Sequence, residues 1–227
     1  MSSALWKKKL IHIGSVATSQ GLSLITQKQS VADVVELRFD ALYARHYDAV
    51  ARVIAILKKR QTPVLLTLRT RNEGGVRNWK STERIRLFKQ LLPYADAVDF
   101  ELANLPLLKE PLRLARKLNK KVILSAHAVR RKITYKRGAD WLSQFRQTRA
   151  DFYKIATFCR TQRDLNVLVK LLINHPELRL AVMAVGPLAK KSRQVLPLLG
   201  SRLVYGYLDA PVAKGQPALT EIRSQLT

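Results

Sequence analysis

Lys154 lies inside the apolar run Asp-Phe-Tyr-Lys-Ile-Ala-Thr-Phe, residues 151–158. The run reads as a short strand of apolar and aromatic residues. Burial in such a strand disfavours the ammonium, and a neutral lysine amine attacks carbonyl carbons. A surface lysine on the wet face of a strand is the plainer alternative. The same anomaly recurs, however. Glu36 and Arg38 alternate in Val-Val-Glu-Leu-Arg-Phe-Asp, Thr67 and Arg69 in Leu-Leu-Thr-Leu-Arg-Thr, Asp99 and Glu101 in Val-Asp-Phe-Glu-Leu, and Ser125 and His127 in Val-Ile-Leu-Ser-Ala-His. Residues two apart in a strand share a face. A lysine, a histidine and a carboxylate form a set for imine chemistry. The amine captures a ketone, the imidazole moves protons, and the carboxylate orients the ring and sets its tautomer. Arg69, if close, lowers the lysine pKa further by like-charge repulsion.

The elements that must position these groups form an alternation. Short apolar runs occur at Leu10–Ile13, Val34–Phe39, Val64–Arg69, Ala97–Leu102, Lys121–His127, Asp151–Ala156, Leu178–Val185 and Leu203–Leu208. Segments with helical periodicity lie between most of them, at Tyr47–Lys59, Thr82–Leu92, Leu107–Leu118, Ala139–Arg146, Thr161–Ile173 and Lys190–Leu199. Strands alternating with helices imply parallel strands joined by crossovers. Eight such units fit a (β/α)8 TIM barrel, a single catalytic domain over residues 1–227. A doubly wound open sheet is the second possibility, but Ile13-Gly14-Ser15-Val16 is not the glycine-rich loop it usually carries. A closed parallel barrel has no wet strand face, so ionisable strand ends would converge on one mouth, paired or functional. Taken singly, each group keeps a plainer explanation. Glu36 with Arg38 is an exposed pair, Asp99 and Glu101 line an edge strand, and His127 is a hydrogen-bonded structural histidine.

Composition narrows the classes. The formal charge is +25, from 41 basic and 16 acidic residues. The basic residues are spread along the chain, as in Lys58-Lys59-Arg60 and Arg130-Arg131-Lys132, with no zinc-finger spacing or RNA-binding aromatic motif. Nucleic acid is therefore expected only as a non-specific partner of a basic surface, which also attracts small anions. Cys159 is the only cysteine, so no disulfide forms within the chain. The N-terminus does not read as a signal peptide, and no apolar run approaches the roughly 20 residues that span a bilayer. The expected location is the cytoplasm, with no membrane partner. No metal cluster or nucleotide loop stands out, so a cofactor-free reaction is expected.

The segments VELRFD (35–40), TLRTRNEGG (67–75), VDFEL (98–102), VILSAH (122–127), ADFYKIA (150–156), the 186–201 stretch with Ser192-Arg193 and Gly200-Ser201, and VYGYLDAPVAKGQ (204–216) keep a common order and spacing. In these the chain resembles the type I 3-dehydroquinate dehydratase family over nearly its whole length. The resemblance implies a (β/α)8 fold and a hydro-lyase of the shikimate pathway acting on 3-dehydroquinate. It implies Lys154 as the Schiff-base residue, His127 as general acid and base, and Glu101 as the carboxylate holding His127. It further implies Glu36, Arg38 and Arg69 as binders of ring hydroxyls, Arg193 as partner of the substrate carboxylate, Gln216 on a closing loop, no cofactor, and a homodimer. The chain departs from the pattern at Ala128, Ala189, Val212 and Lys214. Ala128 is expected to remove a polar neighbour of His127, and Val212 a substrate contact. A barrel kept for a binding role and another Schiff-base lyase or aldolase are the alternatives. The Arg193 and Gln216 matches speak against the latter.

Overall fold

The computed structural model describes residues 4–26, 31–43 and 49–226. Eight parallel strands run β1 (Ile11–Val16), β2 (Val34–Arg38), β3 (Val64–Thr67), β4 (Ala97–Glu101), β5 (Lys121–Ala128), β6 (Phe152–Phe158), β7 (Leu180–Val185) and β8 (Leu203–Tyr207). Around them lie α1 (Phe39–Tyr43), α2 (Ala49–Lys58), α3 (Ser81–Leu91), α4 (Lys109–Lys117), α5 (Tyr135–Arg146), α6 (Gln162–Ile173), α7 (Ala189–Leu198) and α8 (Leu219–Leu226). The hydrogen-bonded order is β7-β6-β5-β4-β3-β2-β1-β8. This is the expected (β/α)8 barrel, closed except along the β7/β8 seam. β1 extends to Val16, beyond the expected Ile13, and α5 begins four residues earlier than its apolar period suggests. The start of the expected Tyr47–Lys59 helix lies outside the described residues. No described helix is long and apolar enough to cross a membrane.

Two cores hold the barrel. The larger lies between the strands' outward faces and the helices, with Leu37, Phe88, Phe100, Phe145 and Leu168 among its members. The smaller fills the barrel's lower interior with Ile11, Ile13, Val34, Leu65, Ala97, Ile123, Phe152 and Leu203. Moving two residues along five of these strands replaces the apolar side chain with a polar one: Val34 by Glu36, Leu65 by Thr67, Ala97 by Asp99, Ile123 by Ser125, and Phe152 by Lys154. All five polar groups are buried. The period-2 alternation of a strand thus stacks a polar layer directly on an apolar plug.

The seam is closed by other means than a strand ladder. Arg202 N donates to Leu180 O (2.9 Å), and Val182 N donates to Ser201 Oγ (3.0 Å). From α7, Ser192 Oγ accepts from Ala184 N (3.0 Å), while Arg193 donates to Tyr205 O on β8 (2.6 Å) and to Ala184 O on β7 (2.9 Å). Arg193 therefore joins β7 to β8 through its guanidinium, and Ser201 does so through its hydroxyl, which also donates to Leu203 O (3.5 Å). Beside this seam β8 must approach α8 closely. A Cβ on Gly206 would lie 2.6 Å from Leu219 Cα. Gly206→Ala should cost about 1–3 kcal/mol through forced displacement of α8, which a urea unfolding curve reads as a lower midpoint at unchanged slope.

Candidate active site

Lys154 is the centre of the polar layer, 5% exposed. Its Nζ lies 3.4 Å from Asp99 Oδ2 and 3.9 Å from Glu36 Oε1. On another side it rests over the Tyr205 ring, 3.9 Å from the centroid. Burial pushes the amine below the usual lysine range. Asp99 and Glu36 oppose that shift, and the Arg69 and Arg38 guanidiniums reinforce it.

Each neighbour is fixed in turn. Glu36 accepts from Ser15 Oγ (2.6 Å) and Thr67 Oγ1 (2.9 Å), so both carboxylate oxygens are held. Asp99 accepts from Arg69 Nη2 (2.7 Å) and Ser125 Oγ (2.5 Å). Burial alone would raise the Asp99 pKa, but Arg69 and Lys154 outweigh it and hold the carboxyl well below its ordinary value. Arg69, which follows β3 by two residues, also donates to Ser125 Oγ (2.9 Å). Arg38 makes a bidentate pair with Asp40, at 2.9 and 2.8 Å.

His127 stands one inward position above Ser125 on β5. The carboxylate on its ring is Glu73, not the expected Glu101: His127 Nδ1 and Glu73 Oε2 are 2.7 Å apart. Glu101 is fully buried and already saturated. It accepts from Thr70 N (2.7 Å), Arg84 Nη2 (2.8 Å) and Asn104 Nδ2 (2.6 Å), and pairs with Arg69 at 3.4 Å. These partners turn Glu101 into an anchor for the β3–α3 loop that carries Glu73. Burial, then the Glu101 and Asp99 carboxylates, push Glu73 up to about 8. Burial, then Arg69 and Lys154, push His127 well below 6.5. Glu73 occupies Nδ1, and Nε2 is the ring nitrogen left for a substrate.

A cavity collects these groups, lined by Glu36, Arg38, Arg69, Glu73, His127, Lys154, Tyr205, Arg193 and Gln216 among others. Of the expected site residues only Glu101 lies outside it. Arg193 spends Nε and Nη1 on backbone carbonyls. Among the described residues it has no carboxylate partner, and burial alone lowers its pKa to about 10. Gln216 is buried under the β8–α8 loop, where its Oε1 accepts from Val212 N (2.9 Å) and its Nε2 faces Ser15 Oγ (3.4 Å). That loop is pinned by Lys214 O, which accepts from Gly186 N at 2.8 Å. Val212 lines the cavity through an apolar side chain. Ala128 does not border the cavity: as the residue after an inward histidine it faces outward, so its side chain is not the neighbour of His127 expected from sequence.

The family model described as type I 3-dehydroquinase matches residues 13–227. The chain belongs to the type I 3-dehydroquinase family. It is 31% identical over 204 residues to the 3-dehydroquinate dehydratase of Methanosarcina barkeri, covering 86% of this chain and 84% of that protein. It is 32% identical over 185 residues to that of Methanocella arvoryzae, covering 82% of each. Among solved structures, the 3-dehydroquinate dehydratase of Geobacillus kaustophilus superposes with a TM-score of 0.85 over 96% of this chain and 90% of that one, at 23% identity, a likeness of fold.

Sequence reasoning missed Glu73, Ser15, Asp40, Arg84 and Tyr205. Glu73 carried a signal, since it precedes Gly74-Gly75 in a loop between two elements, and Gly74 has φ 91°. The Tyr205 face under Lys154 is a cation–π contact worth up to roughly 2 kcal/mol when desolvated. Tyr205→Phe keeps that face and should leave the pH at which Lys154 becomes reactive unchanged. Tyr205→Leu removes it, so the amine should be freed at lower pH. Reagent labelling of Lys154 across pH, read by mass spectrometry, separates the two. Equal shifts in both variants would refute the contact.

Proposed function

We propose that Lys154 captures the C3 ketone of 3-dehydroquinate as an imine, and that His127, held by Glu73, moves the protons of its dehydration to 3-dehydroshikimate. The overall reaction, loss of water from 3-dehydroquinate in the shikimate pathway, is that of the family. The observation that carries the reading is a buried lysine lining the same cavity as a buried histidine paired with Glu73, with burial lowering the pKa of both lysine and histidine.

The neutral amine adds to C3, and the carbinolamine loses water to give a protonated imine. That cation draws electrons from the adjacent carbon, so His127 can take a C2 proton and leave an enamine. The enamine pushes out the C1 hydroxyl, which leaves as water with the proton His127 returns. The resulting double bond is conjugated with the imine. Water then hydrolyses the imine, releasing the product and the amine. Asp99, Glu36 and the Tyr205 face stabilise the iminium as they stabilise the ammonium, and they are in position before the charge forms. Arg193, with Nη2 still available, pairs with the substrate carboxylate. Glu36, Arg38, Arg69 and Gln216 bound the space for the ring hydroxyls.

Borohydride added to protein and 3-dehydroquinate should fix the reduced ligand on Lys154, seen as a mass increase on its peptide. No adduct together with no absorbance from a conjugated product would sink the reading. His127→Ala should lower kcat by roughly 10²–10⁴-fold, and Glu73→Gln by less, since glutamine can still accept from Nδ1. Protonating His127 removes the base. Because its folded pKa is depressed, the acid limb of kcat/KM should fall below pH 6.5.

A further inference from the structure

A second cavity lies outside the barrel wall, behind β5. Its volume is about 580 Å³. Its floor is apolar. Ala126 and Ala128, the outward residues of β5, are too small to fill the gap to α5, and Trp141 and Ile133 line the opposite side. Its rim is cationic. Arg131 and Lys132 come from the β5–α5 loop, and Arg137 from the first turn of α5. Five of the eight residues 130–137 are lysine or arginine.

These charges are not consumed by the fold. Among the described residues, neither Arg131 nor Arg137 has a carboxylate partner. Arg137 rests over the Trp141 ring, 5.4 Å from the centroid. Lys132 comes only within 4.0 Å of Asp164, whose carboxylate accepts from Thr161 N to cap α6. The single carboxylate lining the cavity is Glu73 at its inner end, committed to His127.

We propose that this cavity is a binding site for a small aromatic carboxylate, its ring against Trp141 and Ile133 and its carboxylate on Arg131 and Arg137. An apolar floor with a few convergent polar groups is the usual construction of a small-molecule site, and guanidiniums pair bidentately with carboxylates. A second copy of the chain fits poorly, because an isologous contact would set the two cationic rims against each other. Glu73 and His127 border both cavities, so the inner end of the site reaches the proton-transfer pair itself.

Salicylate is the probe, and Trp141 reports its arrival. The expected result is saturable fluorescence quenching of the full chain. The quench should be absent in Trp141→Phe, and the dissociation constant should rise at least roughly tenfold in the Arg131→Ala/Arg137→Ala variant, the loss expected from one charge-assisted contact. Salicyl alcohol, which keeps the ring and lacks the carboxylate, should bind correspondingly weakly. Both arginines are exposed, so their removal should leave the fold intact, and circular dichroism checks it. No saturation at millimolar salicylate, or quenching untouched by the double variant, would overturn the proposal. So would displacement by inorganic phosphate at equal concentration, which would make it a site for any anion. The measurement uses no substrate and no turnover, so its failure is distinct from failure of the imine mechanism.

Discussion

The structure is organised around the cost of keeping a lysine out of water. Lys154 sits on an apolar plug inside a barrel whose outer faces are covered by helices, so solvent cannot stabilise its charge. An unpaired buried ammonium would release its proton or destabilise the fold. Here Asp99, Glu36 and the Tyr205 ring recover part of the lost hydration, while Arg69 and Arg38 limit that recovery. The balance leaves an amine with depressed basicity that the same carboxylates can still hold when it becomes cationic. An environment of hydrocarbon alone would free the amine but would not stabilise an iminium. An environment of carboxylates alone would keep the lysine permanently protonated.

The same accounting runs outward from Lys154. Asp99 is shared with Arg69, Arg69 reaches Glu101, and Glu101 holds Arg84 and the start of the loop that presents Glu73. One charge network therefore fixes both Lys154, the proposed imine-forming residue, and Glu73, the partner of His127. Such coupled groups respond to mutation as a unit. Removing Glu101 would disturb His127 without any contact between them, because the Glu73 loop would lose its anchor.

Much of this was legible in the sequence because strands repeat every two residues. Val34–Glu36–Arg38 and Ile123–Ser125–His127 each record, in order, the apolar plug, the polar layer and the mouth. The (β/α)8 fold follows from eight such runs with helical segments between them. What the alternation could not reveal lies off the strands. Glu73 sits in a short 3-10 turn, where no period assigns a direction, whereas Glu101 stands on a strand and is the carboxylate that the family resemblance implied. Glu101 does face inward, but its partners Arg84 and Asn104 come from α3 and a turn, and nothing in the sequence shows that they saturate it. Tyr205 reads as an ordinary β8 core residue. Its role depends on strand β6 across the barrel, and long-range register is absent from local pattern.

Arg193 shows why the seam and the chemistry cannot be separated. Two of its nitrogens join β7 to β8 through backbone carbonyls, which leaves a buried guanidinium without a carboxylate among the described residues. Every other buried cation of the central cavity has one: Arg38 has Asp40, Arg69 has Asp99, and Lys154 has Asp99 and Glu36. A charge left unmatched in a low-dielectric site is costly in the resting protein, and an anion that arrives there relieves the cost. The carboxylate of 3-dehydroquinate meets that requirement. The proposed pairing with Arg193 would also act on the strand that carries Tyr205, the ring beneath Lys154. Binding energy at the substrate's non-reacting end would thus be spent on holding the barrel closed around the reacting one.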